Sequence, residues 1–328
     1  MLTPQPSLPE SVELEDRPCP LGCAPSDVAV LSGCDRIHGL PGRFNVVCCG
    51  QCGLTRTNPR PTASTIGAYY PADYAPYLAV DTRPGRPKDK FRHRLRSRLT
   101  RFWGRDTRRL PAILPGHMLE VGCASGNYLR EMKPKGWTVE GIEFSDHAAA
   151  QARETGLHVQ TSSIEGASEP QMRPDLIAAW MVLEHLHEPI AALRKLRGWI
   201  KDDGYLVGAV PDFDAFDRRI FGTYWYALHL PAHLYHYNQE TLKAVLAQGG
   251  WELIKTRWQT NELNLLRTVE YKLIDAHSKR RLAMLRWFNS SRVMRKARRW
   301  LGWLLGVTHQ SGRMEFWARP LPNDGKTS

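Results

Sequence analysis

The fold of this chain is decided by residues 117–145, HMLEVGCASGNYLREMKPKGWTVEGIEFS. An apolar run, Met118 to Val121, enters a loop of small residues. A helical pattern and a second apolar run follow, ending at Glu143. This order is typical of the first half of a nucleotide-binding βαβ unit, because a loop without bulky side chains lets backbone N–H groups and the helix start approach a polar ligand. The carboxylate of Glu143 can accept hydrogen bonds from two ribose hydroxyls.

The run LEVGCASGNYL, residues 119–129, resembles motif I of class I S-adenosylmethionine (SAM) methyltransferases, which reads as an acid, an apolar residue and GxGxG. Ala124 stands at the middle glycine, and we expect its methyl group to be tolerated provided that its φ is negative. The alternative is a dinucleotide-binding Rossmann unit with G-x-G-x-x-G. Gly122 followed by Gly126 does not have that spacing.

Two later segments carry the same resemblance in the expected order. PDLIAAWMVLEHLHEP, residues 174–189, is similar to the motif that closes the fourth strand of the family. WIKDDGYLVGAVP, residues 199–211, resembles the following turn and fifth strand. The resemblance implies a Rossmann-like α/β fold with the seven-stranded class I methyltransferase sheet. It also implies that the last strand, Arg313 to Ala318, inserts antiparallel beside its predecessor.

Apolar runs alternate with helical patterns along the catalytic region, which predicts a parallel sheet covered on both faces. The predicted strands are 118–121, 138–143, a short one near His158, 175–182, 204–210 and 251–258. The predicted helices begin near Asn127 and span 145–155, 189–200 and 239–248. Ser145 is suited to cap the second helix and Gly156 to end it.

Length and charge bound the whole molecule. The 328 residues can hold one large domain and a small one, and the net charge is +12. Residues 83–110 contain twelve Lys and Arg against two acidic residues, and residues 262–312 contain eleven against three, so the remainder is mildly acidic. Two basic segments suit contact with an anionic surface or a phosphate-bearing substrate. The alternative is two solvated helical faces.

The predicted division of the chain follows these patterns. It comprises a disordered tail (1–18), a cysteine-rich module (19–60), a linker with a basic amphipathic helix (61–110), the SAM-binding domain (111–260), a basic Trp-rich helical insertion (261–311), and a final strand with a tail (312–328). The N-terminus lacks the pattern of a signal peptide, and the longest apolar run, WLGWLLGV at 300–307, is too short to span a bilayer. We therefore expect a cytoplasmic protein.

Six of the seven cysteines lie between Cys19 and Cys52, and such clustering in a cytoplasmic chain favours metal over disulfides. Two pairs can close a tetrahedral thiolate site around a structural zinc ion. The predicted ligands are Cys19, Cys23, Cys49 and Cys52. Cys34 and Cys48 are spare candidates, and a reduced cluster or disulfides remain alternatives.

This cysteine-rich module is similar to the zinc-binding leader of a subset of bacterial SAM methyltransferases. The resemblance implies that the module holds a tyrosine-rich segment near the mouth of the active site, with ordinary packing as the alternative. That segment contains Tyr69, Tyr70, Tyr74 and Tyr77. Farther along, Phe91, Leu95, Leu99 and Phe102 form one apolar stripe on an arginine-rich helix, which we expect to dock on the protein or to lie on a membrane surface.

The resemblance also assigns residues to the cofactor and to catalysis. The predicted cofactor contacts are Glu120, Gly122, Cys123, Ala124, Gly126, Glu143, Phe144, Ser163, Met181 and Val182. A hydroxyl or carbon nucleophile needs a base, and the first candidate is His233 in HLPAHLYHYN (229–238), followed by His185. Structural hydrogen bonding is the alternative for both. No metal is expected beside Glu184 and His185, because Met181 stands where metal-dependent relatives carry an acid.

The insertion, residues 261–311, combines Trp287, Trp300 and Trp303 with Arg298 and Arg299. Aromatic residues beside arginines fit a lid over an apolar substrate, an interfacial membrane anchor, a nucleic-acid contact or plain packing. A nucleic-acid partner is not expected, since no base-reading motif accompanies the basic residues.

The sequence thus indicates a SAM-dependent methyltransferase that modifies O, C or N of a small metabolite, which could be sugar-, nucleotide- or lipid-linked. An NAD-dependent oxidoreductase is the competing enzyme class. A non-catalytic SAM-sensing or zinc-based scaffold is the competing non-enzyme.

Overall fold

The computed structural model describes residues 8–70, 108–260 and 262–322. The strands are β1 Leu14–Glu15, β2 Asp27–Gly33, β3 Phe44–Cys49, β4 Thr55–Thr57, β5 Arg60–Pro61, β6 His117–Val121, β7 Thr138–Glu143, β8 His158–Thr161, β9 Leu176–Trp180, β10 Tyr205–Pro211, β11 Tyr235–His236, β12 Trp251–Trp258 and β13 Arg313–Pro320. The α-helices are α1 Asn127–Met132, α2 Asp146–Glu154, α3 Pro189–Trp199, α4 Phe216–Phe221, α5 Gln239–Gln248, α6 Leu263–Asp275, α7 Lys279–Ser290 and α8 Arg295–Val307.

The large sheet has seven strands in the order β12-β13-β10-β9-β6-β7-β8. Strands β6 to β10 pair in parallel, whereas β13 lies between β10 and β12 and is antiparallel to both. The predicted sheet and the insertion of its last strand are therefore confirmed. The strand order reverses between β6 and β9, and ligands of open α/β sheets bind at the carboxyl ends of strands at such a switch point.

Local sequence fixes the helices that flank the sheet. The Ser145 hydroxyl accepts a hydrogen bond from the Ala148 N–H and begins α2, as predicted. Asn238 and Thr241 form a reciprocal capping box at the start of α5. The predicted bounds of α5 (239–248) and β12 (251–258) are confirmed. The capping box marks the start of α5, and Gly249 and Gly250 separate the two elements.

The core lies on both faces of the sheet, because its central strands are apolar on both sides. Ile177 and Ala179 of β9 belong to one buried cluster, while Leu176 and Ala178 of the same strand belong to the other. Leu176 and Ile177 are fully buried, and each contributes about 1.5–3 kcal/mol. The switch point is therefore held on a rigid scaffold.

The N-terminal module, called the head below, is built around a four-stranded antiparallel sheet in the order β11-β4-β3-β2. Its edge strand β11 comes from the catalytic region, where Tyr235 pairs with Arg56 and His236 with Thr55. The segment that contains His233 is therefore tied to the head by backbone hydrogen bonds. The head and the catalytic region therefore contribute strands to the same sheet.

The predicted disordered tail over residues 1–18 is wrong for its second half. Strand β1 pairs with β5, and the Arg17 N–H donates to the side-chain oxygen of Asn58 at 3.0 Å. Residues 1–7, the predicted amphipathic helix near 91–102 and residues 323–328 lie outside the described residues.

The insertion forms the three helices α6, α7 and α8. Helix α8 packs through Gly302, where an added Cβ would lie 3.0 Å from a carboxylate oxygen of Glu262. In residues 8–70, 108–260 and 262–322, no helix combines the length and apolar character that crossing a bilayer requires.

Candidate active site

A cavity of about 880 Å³ opens where β6, β7 and β9 end, and this volume is in the range of cofactor and substrate sites. One half of its wall comes from the ends of these strands. The other half comes from the head and from the segment before β11. Ile37, Ile66 and Tyr70 of the head line this second half.

The loop after β6 is shaped by left-handed backbone conformations. Gly122 has φ +67 and Gly126 has φ +77, which favour glycine at both positions. Ala124 has φ +47, so the expectation that its φ stays negative is wrong. This left-handed conformation is unfavourable for a residue other than glycine. In it, the Ala124 N–H donates to Glu143 Oε2 at 2.7 Å.

Glu143 ends β7 at the wall of the cavity. Its Oε1 accepts a hydrogen bond from the Ser145 N–H at 2.8 Å, in addition to the bond from Ala124. Burial raises the pKa of Glu143, while the N–H groups of Ser145 and Ala124 oppose that rise. A carboxylate offers about four acceptor positions, so two remain for ligand hydroxyls.

The structure places most of the predicted cofactor residues at the cavity. The lining includes Gly122, Ala124, Glu143, Phe144, Ser163, Met181 and Val182. Glu120, Cys123 and Gly126 are not among the lining residues. Cys123 is buried in the core cluster that contains Met118, on the face of β6 away from Leu119 and Val121.

Glu120 lies one residue before Val121, and side chains alternate between the faces of a strand. It is buried, its Oε2 has no hydrogen-bond partner in the described part of the chain, and burial raises its pKa well above the usual value. Burial therefore favours the protonated form of this carboxyl group.

Three histidines meet at the substrate side of the cavity. The ring centroids of His185 and His233 are 4.7 Å apart, and those of His229 and His233 are 4.8 Å apart. All three line the cavity. Both predicted bases are thus brought together, and His229 joins them from the same HLPAH segment. The sequence placed His229 in the right segment without assigning it a role.

Hydrogen bonds to backbone carbonyls define the tautomers of two rings. His185 Nδ1 lies 2.9 Å from Ala232 O, and His233 Nδ1 lies 2.9 Å from Ala227 O. A carbonyl only accepts, so each Nδ1 carries the proton and each Nε2 is left as an acceptor. Tyr70 places its hydroxyl 2.9 Å from the same Nδ1 of His185.

Burial keeps these rings neutral. It lowers the pKa of His185 to about 4 and that of His229 to about 3, and it lowers the pKa of His233 well below its usual value. The Ala232 carbonyl partly offsets the effect at His185. At neutral pH the cavity therefore offers unprotonated imidazole nitrogens.

Glu184 is fully buried next to these rings. One of its oxygens and one nitrogen each of His185 and His233 lie within 4.8 Å of one another. Neither carboxylate oxygen has a hydrogen-bond partner within the described residues, and burial raises the pKa of Glu184 to about 8. The group is mostly protonated at neutral pH.

Two further residues that line the cavity have a strained, left-handed backbone conformation. Met181 has φ +58 and His229 has φ +37, both unusual for residues other than glycine. Such strain clusters at functional sites, where the surrounding structure holds it in place. The head adds His38, whose ring centroid is 6.1 Å from that of His229. No pattern in the sequence pointed to His38 or to this strain.

Four cysteines converge in the head as the sequence predicts. The Sγ atoms of Cys19, Cys23, Cys49 and Cys52 all lie within 4.8 Å of one another. Cys19 Sγ and Cys52 Sγ are 3.5 Å apart, far from the ~2.05 Å of a disulfide and close to the ~3.8 Å edge of a tetrahedral zinc–sulfur site. The donor set therefore fits a thiolate metal such as zinc.

The knuckle favours a thiolate at Cys49, whereas burial raises the pKa of Cys23 and Cys52. Burial opposes ionisation of Cys49, but N–H groups of Cys52 and Gln51 donate to its sulfur and lower its pKa to about 6. The spare cysteines, Cys34 and Cys48, are outside the four-sulfur cluster.

A mixed seven-stranded sheet of this order, with the loop–helix bend after β6 and an acid at the end of β7, defines the class I methyltransferase fold. The family model described as "Methyltransferase domain" matches residues 90–256. The chain belongs to this family.

Curated relatives are similar over part of the chain. A ubiquinone biosynthesis O-methyltransferase of Coxiella burnetii is 25% identical over 150 residues, which cover 42% of this chain and 64% of the relative. The protein of the same description from Vibrio parahaemolyticus is 27% identical over 96 residues, covering 27% of this chain and 41% of the relative. The chain thus spans less than two thirds of these relatives' length.

Solved structures are similar as well. An S-adenosylmethionine-dependent methyltransferase from Mesorhizobium loti is 16% identical with a TM-score of 0.41, covering 64% of this chain and 93% of that one.

Proposed function

We propose that this protein is a SAM-dependent methyltransferase that methylates a hydroxyl group of a small acceptor. One observation carries the proposal: a single cavity is lined both by the loop after β6 with Glu143 and by unprotonated histidines. A bound SAM would supply an electrophilic methyl group on a sulfonium sulfur. The chain would supply orientation and an acceptor for the proton that the hydroxyl loses.

The cofactor half would act through backbone and carboxylate groups. Glycine is required at position 122, because a Cβ there would lie 2.7 Å from Val182, which itself lines the cavity. Glu143, already oriented by two N–H groups, has acceptor capacity left for ribose hydroxyls. The exposed ring of Phe144 lies beside Glu143 and is suited to contact the adenine.

We infer that His185 is better suited than His233 to accept the proton. Both rings present Nε2, but His185 is the less buried and keeps a pKa of about 4, whereas the pKa of His233 is lowered further by burial and by its neighbouring histidines. This reverses the order that the sequence favoured. The Nδ1 contact with Ala232 would hold the ring during proton transfer.

Ligand-dependent stability tests the cofactor. We expect SAM at about 100 times its Kd to stabilise the protein by about 2.7 kcal/mol, a rise of several degrees in Tm, and NADH to have no effect. Glu143→Ala should weaken SAM binding by roughly 1–3 kcal/mol through the lost ribose hydrogen bonds. Glu154→Ala, on the exposed side of α2, is the matched control. A rise with NADH alone would instead support the oxidoreductase.

Activity tests the base. With isotopically labelled SAM and fractionated metabolite extract, we expect label in a methyl ether and a rate about 10²–10⁴-fold lower for His185→Asn. Asparagine can still donate to Ala232 O but offers no Nε2, and SAM affinity should not change. His147→Ala, exposed on α2, is the control. Retained S-adenosylhomocysteine without labelled product would support the non-catalytic scaffold.

The relatives from Coxiella and Vibrio are described as O-methyltransferases, which is in keeping with a hydroxyl acceptor. The apolar side chains on the substrate half of the cavity, Ile37 and Ile66, favour an acceptor with an apolar ring or chain.

We further propose that the four-cysteine cluster holds a structural zinc ion. Four sulfur ligands leave no position for a substrate, so the ion would stabilise the head and take no part in methyl transfer. Cys49→Ser should abolish zinc binding as measured by elemental analysis, and Cys34→Ser should keep one zinc per chain. Zinc retained in Cys49→Ser but lost in Cys34→Ser would show that the spare cysteines bind the ion instead.

A further inference from the structure

Helices α7 and α8 expose large aromatic side chains to solvent. Trp287 of α7 is 57% exposed, and Trp300 and Trp303 of α8 are 59% and 48% exposed. Helix α7 contains leucine, methionine, tryptophan and phenylalanine, yet none of its residues is buried. Since large apolar side chains are normally covered, this surface points to a partner.

The exposed side chains follow helical spacing with a basic residue one turn before them. Lys296, Trp300 and Trp303 lie on one face of α8, and Val307 continues that face. The opposite face of α8 is the one that packs on the protein, through buried Gly302 and Leu305. The tryptophans therefore point away from the core.

Helix α7 repeats this arrangement. Arg280, Met284 and Trp287 share one exposed face at steps of four and three. The two helices are held together by Arg298, whose guanidinium donates to the backbone oxygens of Phe288 and Ser291. We call the exposed side chains of these two helices together the tryptophan surface (residues 279–307).

The charge of the tryptophan surface has one sign. Residues 279–307 contain nine Lys and Arg and no Asp or Glu. Arg286 forms an ion pair with Glu270 of α6, and the guanidinium of Arg298 donates to backbone oxygens within the surface. The other seven have no ion pair with any described residue; they are Lys279, Arg280, Arg281, Arg292, Arg295, Lys296 and Arg299. Their charge is available to an anionic partner.

We propose that the tryptophan surface docks on an anionic lipid bilayer. Indole rings are enriched at the boundary between headgroups and acyl chains, and lysines and arginines around them contact anionic headgroups. None of Trp287, Trp300 and Trp303 lines the cavity, so a lid over the substrate is not supported. Docking here does not depend on the proposed methyl transfer.

Vesicle flotation with the full-length, zinc-loaded protein tests the proposal. We expect binding to vesicles of phosphatidylcholine with about one third phosphatidylglycerol, and much weaker binding to phosphatidylcholine alone. At about 1 M salt, where the Debye length is about 3 Å, binding should fall strongly. No flotation with the anionic vesicles, or equal binding to both kinds, would overturn the proposal.

Paired variants locate the contact. Trp300→Ser with Trp303→Ser should weaken binding about tenfold, and Lys296→Glu about fivefold or more. Leu114→Ser and Lys243→Glu, which change exposed residues elsewhere, should bind like the wild type. Unchanged circular dichroism and Tm would show that all variants fold.

A protein partner or self-association gives a different result. If the tryptophan variants floated like the wild type but converted an oligomer into a monomer on size exclusion, the surface would be an interface between protein chains and the bilayer proposal would be wrong.

Discussion

At the residue scale, Ala124 combines a non-glycine side chain with φ +47 in the cofactor loop. Left-handed backbone costs an L-residue about 1–2 kcal/mol, whereas glycine adds about 0.5–1 kcal/mol of chain entropy to folding. We therefore expect Ala124→Gly to stabilise the protein by up to about 1 kcal/mol in urea unfolding. Ala247→Gly, exposed within α5, should destabilise it by about 1 kcal/mol. A loss of similar size at Ala124 would contradict the observed backbone.

Glu184 gives a second residue-scale prediction because its pKa differs so much between the two states. Burial raises its pKa from 4.5 to about 8, so the folded protein keeps a proton that the unfolded chain has lost. From pH 4.5 to about 8, each pH unit then lowers the free energy of unfolding by up to about 1.4 kcal/mol. Above pH 8 this effect levels off.

Glu184→Gln removes the titrating group while keeping its shape. The variant should match the wild type near pH 4.5 and become progressively more stable than it up to about pH 8, in denaturant unfolding at a series of pH values. All other titrating groups are common to both proteins, so their effects cancel in the difference. A difference independent of pH would show that Glu184 is ionised in the folded state.

At the scale of elements, the two-residue strand β11 joins the head to residues 229–238, which contain His233 and the Ala232 carbonyl that holds His185. Thr57 of β4 donates from its hydroxyl to His233 O at 2.8 Å, and its N–H donates to Leu234 O. The hydroxyl is buried, so removing it leaves a carbonyl without this donor at a cost of about 1–3 kcal/mol.

We expect Thr57→Val to lower both stability and kcat while leaving the Kd for SAM unchanged, because Thr57 is not among the residues that line the cavity. Thr57→Ser retains the hydroxyl and should behave like the wild type. Calorimetry for SAM binding and turnover of labelled SAM separate the two effects. Weaker SAM binding in Thr57→Val would mean that the head acts on the whole cavity.

The sequence predicted elements where local signals are strong. Residues 239–248 have a capping pair at their start and glycines after their end, and the predicted helix is confirmed. Strand β11 had no such signal: it is two residues long, and its partner lies about 180 positions earlier in the chain. Hydrophobic patterns describe local periodicity and contain no information on such pairing.

The same limit applied to the site. Small residues and an acid at fixed spacing identified Gly122 and Glu143, because the spacing follows from strand and loop geometry. The family motif places an acid at position 120 but does not say on which face of the strand its side chain lies, and Glu120 does not line the cavity. The resemblance to the zinc-binding leader placed Tyr70 near the mouth of the site, whereas His38 reaches the cavity only because the head folds over it, which no local pattern reports.

At the scale of the whole molecule, the head and the catalytic sheet share one core. Cys19, Cys49 and Leu54 belong to the same buried cluster as Leu234 and Tyr237 of the catalytic region. A boundary between independent units would instead fall in an exposed segment with few contacts. The shared cluster and the shared sheet therefore make separate unfolding of the head unfavourable.

We accordingly expect the proposed zinc ion to be released when the catalytic sheet unfolds, and not before. In a urea titration, tryptophan fluorescence would report global unfolding, and a chromogenic chelator would report free zinc. The two midpoints should coincide, since breaking the head exposes apolar surface that the sheet also uses. Removing zinc beforehand should lower this single midpoint by mass action without creating a second transition. Zinc released at a clearly lower urea concentration, with fluorescence unchanged, would show that the head opens by itself and that β11 does not couple it to the sheet.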